Sequence, residues 1–281
     1  MVASIAPWIP RAVRFACARV LADLYRRRMP KEYAAVQRNL AHILPTADPT
    51  TVARVAQSLF RHFAYYFADL FSLNRQPLAV QQRYLHAIHN VDRIQPLLES
   101  SQGFVVATAH LGNWELAGRL LSPYGKTVHV VIAPEQYAAV QRLLREEHRP
   151  SSLRFVSNAD TGAFVQLLMA LRRGDIVAVQ MDRATGHRSD VQVNFFGRPA
   201  LLPVGPFMLA RAARVPVFPC FCIMRPDRRY EIHVGGAITV ERDGEAAALQ
   251  RMAHVLEQHI ALAPDQWFNF YDVWDTTSAV H

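Results

Sequence analysis

Hydrophobic and polar positions follow a helical pattern through the first hundred residues of the chain. Between residues 30 and 100, apolar side chains recur at three- and four-residue spacing, which is typical of helices packed on one face. One predicted helix covers Tyr33–Ile43, a second runs from an Asp48 cap to Phe71, and a third, or a pair, covers roughly residues 76–100. We therefore predict an N-terminal helical region over residues 1–100.

From residue 101 to residue 281, short uncharged runs alternate with helical segments. The predicted strands are Phe104–Ala109, Thr127–Ile132, Arg154–Val156, Ile176–Gln180, Val191–Phe196, Val217–Met224 and Tyr230–Val234. One predicted helix begins at Trp114. The other predicted helices cover Gln136–Glu147, Gly162–Arg172, Pro206–Ala213 and Glu245–Leu262. Repeated strand–helix alternation predicts an α/β fold, with a mainly parallel central sheet flanked by helices. We expect this region to pack with the N-terminal helices as one unit.

The first 29 residues combine apolar and arginine positions in the pattern of a cationic amphipathic helix. No uncharged run there approaches the roughly 20 residues of a membrane span, and no signal-peptide cleavage pattern is present. Two interpretations are open. The helix lies on an anionic membrane, with Arg26–Arg28 against lipid headgroups, or it packs on the domain with its arginines solvated.

Composition and charge narrow the class of partner. The 281 residues carry a formal net charge of +8, which indicates an anionic partner such as nucleic acid, an anionic membrane or an acidic carrier protein. No basic segment with interleaved aromatics is present, so a nucleic acid is not expected. Cys17, Cys220 and Cys222 give no disulfide framework, which favours a reducing compartment. No His-Glu-x-x-His motif occurs, and we expect neither a metal site nor a cofactor.

The stretch from Gly103 to Gly118 contains the strongest candidate chemistry. A buried strand ends at His110, Asn113 is the expected N-cap of the next helix, and Glu115 lies in its first turn. In open α/β sheets, ligands bind at the edge that the carboxyl ends of the strands form. If the two side chains meet, Glu115 accepts a hydrogen bond from one ring nitrogen of His110. The other ring nitrogen then becomes a general base for a hydroxyl that attacks an acyl group. The alternatives are a structural histidine and a glutamate that only complements the helix dipole.

The segment His110-Leu111-Gly112-Asn113-Trp114-Glu115 resembles the H(x)4(D/E) motif of glycerolipid acyltransferases. Its Asn-Trp-Glu version is similar to the lipid A biosynthesis (lauroyl/myristoyl) acyltransferase family. The likeness continues, in family order, through Gln180–Arg183, Asn194–Pro199, Leu209–Pro219 and Pro264–Phe268. Together these segments cover roughly residues 100–275.

The second predicted strand end places Asp182 and Arg183 where they are able to converge on His110. Arg183, Arg188 and Arg149 are candidates for binding phosphate or carboxylate groups, with Asp182 fixing one of them. A surface salt bridge is the alternative for Asp182 and Arg183. The resemblance implies a functional arginine near Arg149 and an acidic residue near Asp182. Arg145 and Arg154 are alternatives for that arginine, because Pro150-Ser151-Ser152 departs from the family pattern.

The resemblance implies an O-acyltransferase that moves a fatty acyl group from acyl carrier protein or acyl-CoA to a lipid hydroxyl. A lipid A precursor is the first expected acceptor, in lipopolysaccharide biosynthesis at the cytoplasmic face of the inner membrane. Another glycolipid, such as mannosylated phosphatidylinositol, is the alternative. A catalytically silent lipid- or carrier-binding protein is the rival from another class. An α/β-hydrolase is not expected, because the chain lacks a Gly-x-Ser-x-Gly elbow.

Overall fold

The computed structural model describes residues 9–133 and 153–275. Three helices open the chain: α1 (Arg11–Arg28), α2 (Pro30–Ile43) and α3 (Pro49–Leu70). The Asp48 carboxylate caps α3 by accepting hydrogen bonds from the backbone N–H groups of Thr50 and Thr51, at 2.9 and 3.0 Å. The helices predicted over Tyr33–Ile43 and Asp48–Phe71 are confirmed.

One face of α1 packs on α3. Phe15 stacks on Tyr65 with the ring centroids 4.5 Å apart. Arg11 donates to Asp69 from Nε at 3.0 Å, and the hydroxyl of Tyr230 donates to the same carboxylate at 2.7 Å. Arg11 thus anchors the helix through a buried ion pair with Asp69. The expectation that the arginines of this helix are solvated is wrong for Arg11.

The later helices are shorter, except for the last. They are α4 (Leu78–Arg83), α5 (Gln95–Leu98), α6 (Trp114–Arg119), α7 (Ala163–Arg172), α8 (Gly205–Ala213) and α9 (Glu245–Leu262). The strands are β1 (Leu85–His89), β2 (Phe104–Thr108), β3 (Val128–Ile132), β4 (Leu153–Ser157), β5 (Ile176–Gln180), β6 (Asp190–Phe195), β7 (Arg198–Pro203), β8 (Val217–Met224) and β9 (Tyr230–Val234). The predicted helix Gln136–Glu147 lies outside the described residues.

Seven strands form one sheet in the order β1-β9-β8-β2-β5-β3-β4. Every neighbouring pair is parallel except β8 and β9, which are antiparallel. Helices cover the sheet, so the predicted α/β class is confirmed. In the described part of the chain, no helix is long and apolar enough to cross a membrane. The division near residue 100 stays a prediction.

The prediction of helix throughout residues 76–100 is wrong. Between the short helices α4 and α5, the chain forms β1, which pairs in parallel with β9 at the sheet edge. The strand has only five residues and carries His86 and His89, so it lacks the apolar run that indicates a buried strand.

A second difference concerns residues 195–199. Phe196 and Gly197 have φ values of 50° and 74° and form the two-residue turn of the β6–β7 hairpin. This turn leads into β7, a strand that is not among those predicted from the sequence.

Candidate active site

Strand register brings His110 and Asp182 together. β2 pairs with β5 in parallel, and Thr108 lies opposite Gln180 at the end of the ladder. The same register, extended by two residues, places His110 opposite Asp182. The backbone N–H of His110 donates to Asp182 Oδ1 at 3.1 Å, and His110 Nδ1 lies 2.9 Å from the same oxygen. Two strand ends thus form a histidine–carboxylate pair.

The Asp182 carboxylate is fully buried and receives further hydrogen bonds from the C-terminal segment. Trp267 Nε1 donates to Oδ2 at 2.8 Å, and Asn269 Nδ2 donates to the same atom at 3.0 Å. Burial raises the pKa of a carboxyl group, but here the hydrogen-bonded His110 and the charge of Arg183 outweigh it and hold the pKa of Asp182 well below its usual range. The group is therefore a carboxylate.

The turn after His110 is fixed by backbone contacts. Gly112 has φ +64°, and a Cβ there would lie 2.0 Å from the carbonyl oxygen of Cys222. The N–H of Asn113 donates to that oxygen at 2.8 Å, and the N–H of Phe268 donates to the His110 carbonyl at 2.8 Å. Asn113 also caps α6 as predicted, accepting from the Leu116 N–H. The imidazole thus stands on rigid backbone.

The ionised carboxylate determines the tautomer of His110. Because Asp182 is able only to accept, Nδ1 carries the proton and Nε2 is left with a free lone pair. Nε2 makes no hydrogen bond with any residue that the structure describes. The His110 side chain is 19% exposed, so the imidazole is partly open to solvent. The arrangement is that of a general base held by a carboxylate.

The activity should depend on pH through His110. Burial, and secondly the charge of Arg183, lower the pKa of His110 more than Asp182 raises it. A base works when neutral, and a lowered pKa keeps it neutral to lower pH. We expect kcat/KM to rise with pH along a limb centred below the ordinary histidine pKa of about 6.5. The measurement is a pH profile of initial rates.

A variant that removes the charge of Arg183 tests whether the titrating group is His110 or another residue. Arg183→Gln should move the limb to higher pH, because a neighbouring positive charge is removed. A limb at or above the ordinary value in the unaltered protein, or one that Arg183→Gln leaves in place, would contradict the assignment.

Glu115 has a different neighbour from the one expected. Its carboxylate accepts a hydrogen bond from Arg119 Nε at 2.8 Å, one helical turn along α6. The expected hydrogen bond from His110 to Glu115 is not formed, because β5 brings Asp182 directly opposite His110. Glu115 is buried beside the cavity described below, and the catalytic role predicted for it and for His110 stays a prediction.

The predicted anion-binding arginines lie in different surroundings. Arg183 donates from Nε to Asn269 Oδ1 at 2.6 Å and from Nη2 to the Phe268 carbonyl at 2.5 Å, so it holds the segment that orients Asp182. Arg188 is exposed in the loop before β6, and Arg154 is exposed on β4. Arg149 and the alternative Arg145 lie outside the described residues. Substrate binding by Arg149, Asp182, Arg183 and Arg188 stays a prediction.

An apolar cavity of about 290 Å³ lies beside the histidine–carboxylate pair. Its floor is the face of the sheet that carries Val106 and Thr108. Alternate residues of a strand share one face, so His110 continues the same row of side chains. α6 contributes Trp114 and Glu115 to its wall. Most of the lining is aliphatic or aromatic, including Leu98, Leu121, Val130, Ala178, Phe218 and Ile232. Such a cavity suits an alkyl chain.

Two buried polar atoms without partners lie at the same strand ends. Thr108 Oγ1 and Gln180 Nε2 make no hydrogen bond with the described part of the chain, although both are buried. The two residues are register partners, and each lies two positions before a member of the His110–Asp182 pair. An unmet buried donor costs about 1–3 kcal/mol, so these two atoms are candidates for hydrogen bonds with a bound substrate.

Reasoning from sequence missed the roles of Trp267 and Asn269. The aromatic residues from Trp267 to Trp274 have the pattern of core packing, and Trp267 is indeed almost fully buried. The segment Pro264–Phe268 resembles the family motif, but this resemblance does not indicate the hydrogen bonds that Trp267 and Asn269 donate to Asp182.

Comparison with known proteins identifies the family of the chain. The sequence profile of the family described as bacterial lipid A biosynthesis acyltransferase matches residues 1–276. The chain belongs to this family. It is an acyltransferase, and the resemblance stated from its motifs is confirmed.

Curated relatives of this acyltransferase include phosphatidylinositol mannoside acyltransferases. The protein from Mycobacterium tuberculosis (strain CDC 1551 / Oshkosh) is 27% identical over 247 residues, which are 85% of this chain and 76% of the relative. The protein from Mycolicibacterium smegmatis is 26% identical over 257 residues, covering 85% and 78% of the two chains.

Proposed function

We propose that the enzyme transfers a fatty acyl group from a thioester of acyl carrier protein or CoA to a hydroxyl of a glycolipid acceptor. The observation that carries this proposal is the His110–Asp182 pair beside an apolar cavity. The family description favours a lipid A precursor as acceptor, whereas the names of the relatives favour mannosylated phosphatidylinositol.

In the proposed mechanism, His110 Nε2 removes the proton of the acceptor hydroxyl as its oxygen attacks the thioester carbonyl. Asp182 stabilises the imidazolium that forms. The tetrahedral intermediate collapses, the new C–O ester bond is retained, and the C–S bond breaks. The departing thiolate takes the proton from His110, which returns to its starting form. The alkyl chain of the donor occupies the cavity.

Thr108 and Gln180 supply donors for the charge that develops on the carbonyl oxygen. Their buried, unpartnered atoms lie at the strand ends that also hold His110 and Asp182. A negatively charged oxygen gains more from such donors than a neutral carbonyl does, so the interaction favours the transition state.

Thr108→Val should lower kcat by on the order of a hundredfold, because one donor to the developing oxyanion is lost. The folded protein should be as stable as before or more stable, since valine has nearly the same shape and removes an unmet hydroxyl. Thr108→Ser is the matched control, which retains the hydroxyl and should retain most of the rate. Steady-state kinetics and thermal unfolding test both variants, and an unchanged kcat in Thr108→Val would exclude the donor role.

The exposed side of α1 supports attachment to a membrane surface. Val13, Val20, Leu21 and Leu24 form an apolar stripe at helical spacing, with exposed fractions between 46% and 65%. Arg19, Arg27 and Arg28 are also exposed on this helix. An apolar stripe with basic residues beside it binds anionic lipid surfaces.

Vesicle binding should depend on this stripe. The Leu21→Asp/Leu24→Asp variant should sediment with anionic vesicles much less than the unaltered protein, and high salt should release the unaltered protein. Val165→Asp is the matched control, because Val165 is 62% exposed on α7, outside the stripe. Equal losses in both variants would show that the stripe has no special role.

Acyl transfer itself is tested with purified protein, acyl carrier protein and CoA thioesters of several chain lengths, and the two acceptor classes. Mass spectrometry of the lipid product identifies the acceptor and the position of the new ester. Donor binding without ester formation on any glycolipid would instead favour the catalytically silent alternative.

A further inference from the structure

Three side chains with metal-binding atoms meet at the β1 edge of the sheet. His89 lies on β1 and is the register partner of His233 on β9, and Glu231 lies two residues before His233. One potential ligand atom from each residue lies within 4.8 Å of the other two. Ile232 and Val234, which alternate with Glu231 and His233 along β9, line the apolar cavity. The cluster therefore lies on the opposite face of the sheet from the cavity.

The geometry of the cluster is close to that of a coordinated ion. Glu231 Oε2 lies 3.6 Å from Nε2 of His89 and 3.6 Å from Nε2 of His233. Ligand bonds of about 2.0–2.1 Å at tetrahedral angles place neighbouring ligand atoms about 3.3 Å apart. Small rotamer changes in these partly exposed side chains therefore close the site, and the exposed side of His89 leaves a fourth position for water.

The surroundings orient the carboxylate and keep the imidazoles available. Arg225 donates to Glu231 Oε1, which leaves Oε2 directed at the two histidines. A partner of this kind orients a ligand, although its positive charge also weakens cation binding. The His89 and His233 rings lie with their centroids 4.7 Å apart, and each presents Nε2 to Glu231 Oε2.

We propose that His89, Glu231 and His233 bind one divalent transition-metal ion that joins edge strand β1 to β9. Two imidazoles and one carboxylate suit Zn²⁺, Co²⁺ or Ni²⁺ better than Mg²⁺ or Ca²⁺, which prefer oxygen ligands. No local sequence pattern indicates this metal site, because the ligands on β1 and β9 lie far apart in the chain and meet only through the parallel pairing of these strands.

The test uses the full-length protein without a histidine tag, stripped with a chelator and titrated with Co²⁺ by equilibrium dialysis and absorption spectroscopy. We expect one saturable site per chain, displaceable by Zn²⁺, and a rise in Tm when Zn²⁺ is added. His89→Ala and Glu231→Gln should each weaken binding by at least about tenfold and abolish the rise in Tm. His89 is 44% exposed in its side chain, so its replacement leaves the core intact.

His254→Ala is the matched control. His254 is exposed on α9 and pairs with Glu257 at 3.2 Å, so it presents a histidine–glutamate pair outside the cluster. Its replacement should leave Co²⁺ binding unchanged. The proposal is overturned if the unaltered protein shows no saturable site, if His89→Ala binds equally well, or if a thiolate charge-transfer band places the ion on a cysteine.

Discussion

Replacing His110 with alanine is expected to reduce acyl transfer by on the order of a hundred- to ten-thousandfold while the protein stays folded. The acceptor hydroxyl loses the base that removes its proton, and no other imidazole is hydrogen-bonded to Asp182 in the part of the chain that the structure describes. The fold should survive because Asp182 retains hydrogen bonds from Trp267, Asn269 and the backbone N–H at position 110.

The measurement is a single-turnover transfer assay, accompanied by thermal unfolding and by donor binding. Donor affinity should change little, since the proposed mechanism places the alkyl chain in the apolar cavity and not against the imidazole. A folded His110→Ala protein that turns over at nearly the normal rate would remove the central claim of the proposed mechanism.

The sequence predicts those parts of the fold that one segment determines by itself. Phe104–Thr108 and Ile176–Gln180 are short uncharged runs bounded by turns, and both are inner strands of the sheet. Glu245–Leu262 has the helical period throughout, and α9 has the predicted bounds. β1 is the counterexample, because an edge strand with two histidines carries little apolar signal and depends on pairing with β9.

The site is less predictable because it depends on strand order. The carboxylate nearest His110 in sequence is Glu115, yet β5 lies beside β2 and brings Asp182 into contact instead. The sequence pattern places Asp182 correctly at a strand end, but the role predicted for it is that of fixing an arginine. The contacts of Trp267 and Asn269 with Asp182 span 85 and 87 positions in the chain, and no local pattern indicates them.

Asp182→Asn is expected to lower kcat by on the order of a hundred- to ten-thousandfold with little change in KM. An asparagine oxygen is a poor stabiliser of the imidazolium, and its amide is able to donate to Nδ1 and so place the ring proton on Nε2, where the base is needed. The loss of the negative charge should also move the ascending limb of the pH profile to lower pH. That shift is opposite in sign to the one expected for Arg183→Gln, so the two variants test the same imidazole independently.

Glu115→Gln provides the comparison that separates the two possible partners of His110. Glu115 accepts a hydrogen bond from Arg119, so the structure predicts a much smaller loss of rate for Glu115→Gln than for Asp182→Asn. Its pH limb should stay close to that of the unaltered protein, because the hydrogen bond at His110 Nδ1 is intact. If Glu115→Gln lost more activity than Asp182→Asn and shifted the limb, the orienting carboxylate would be Glu115, as the spacing of the motif alone predicts. Equal thermal stability of the two variants is required for either conclusion, since a loss of folded protein lowers the rate without moving the limb.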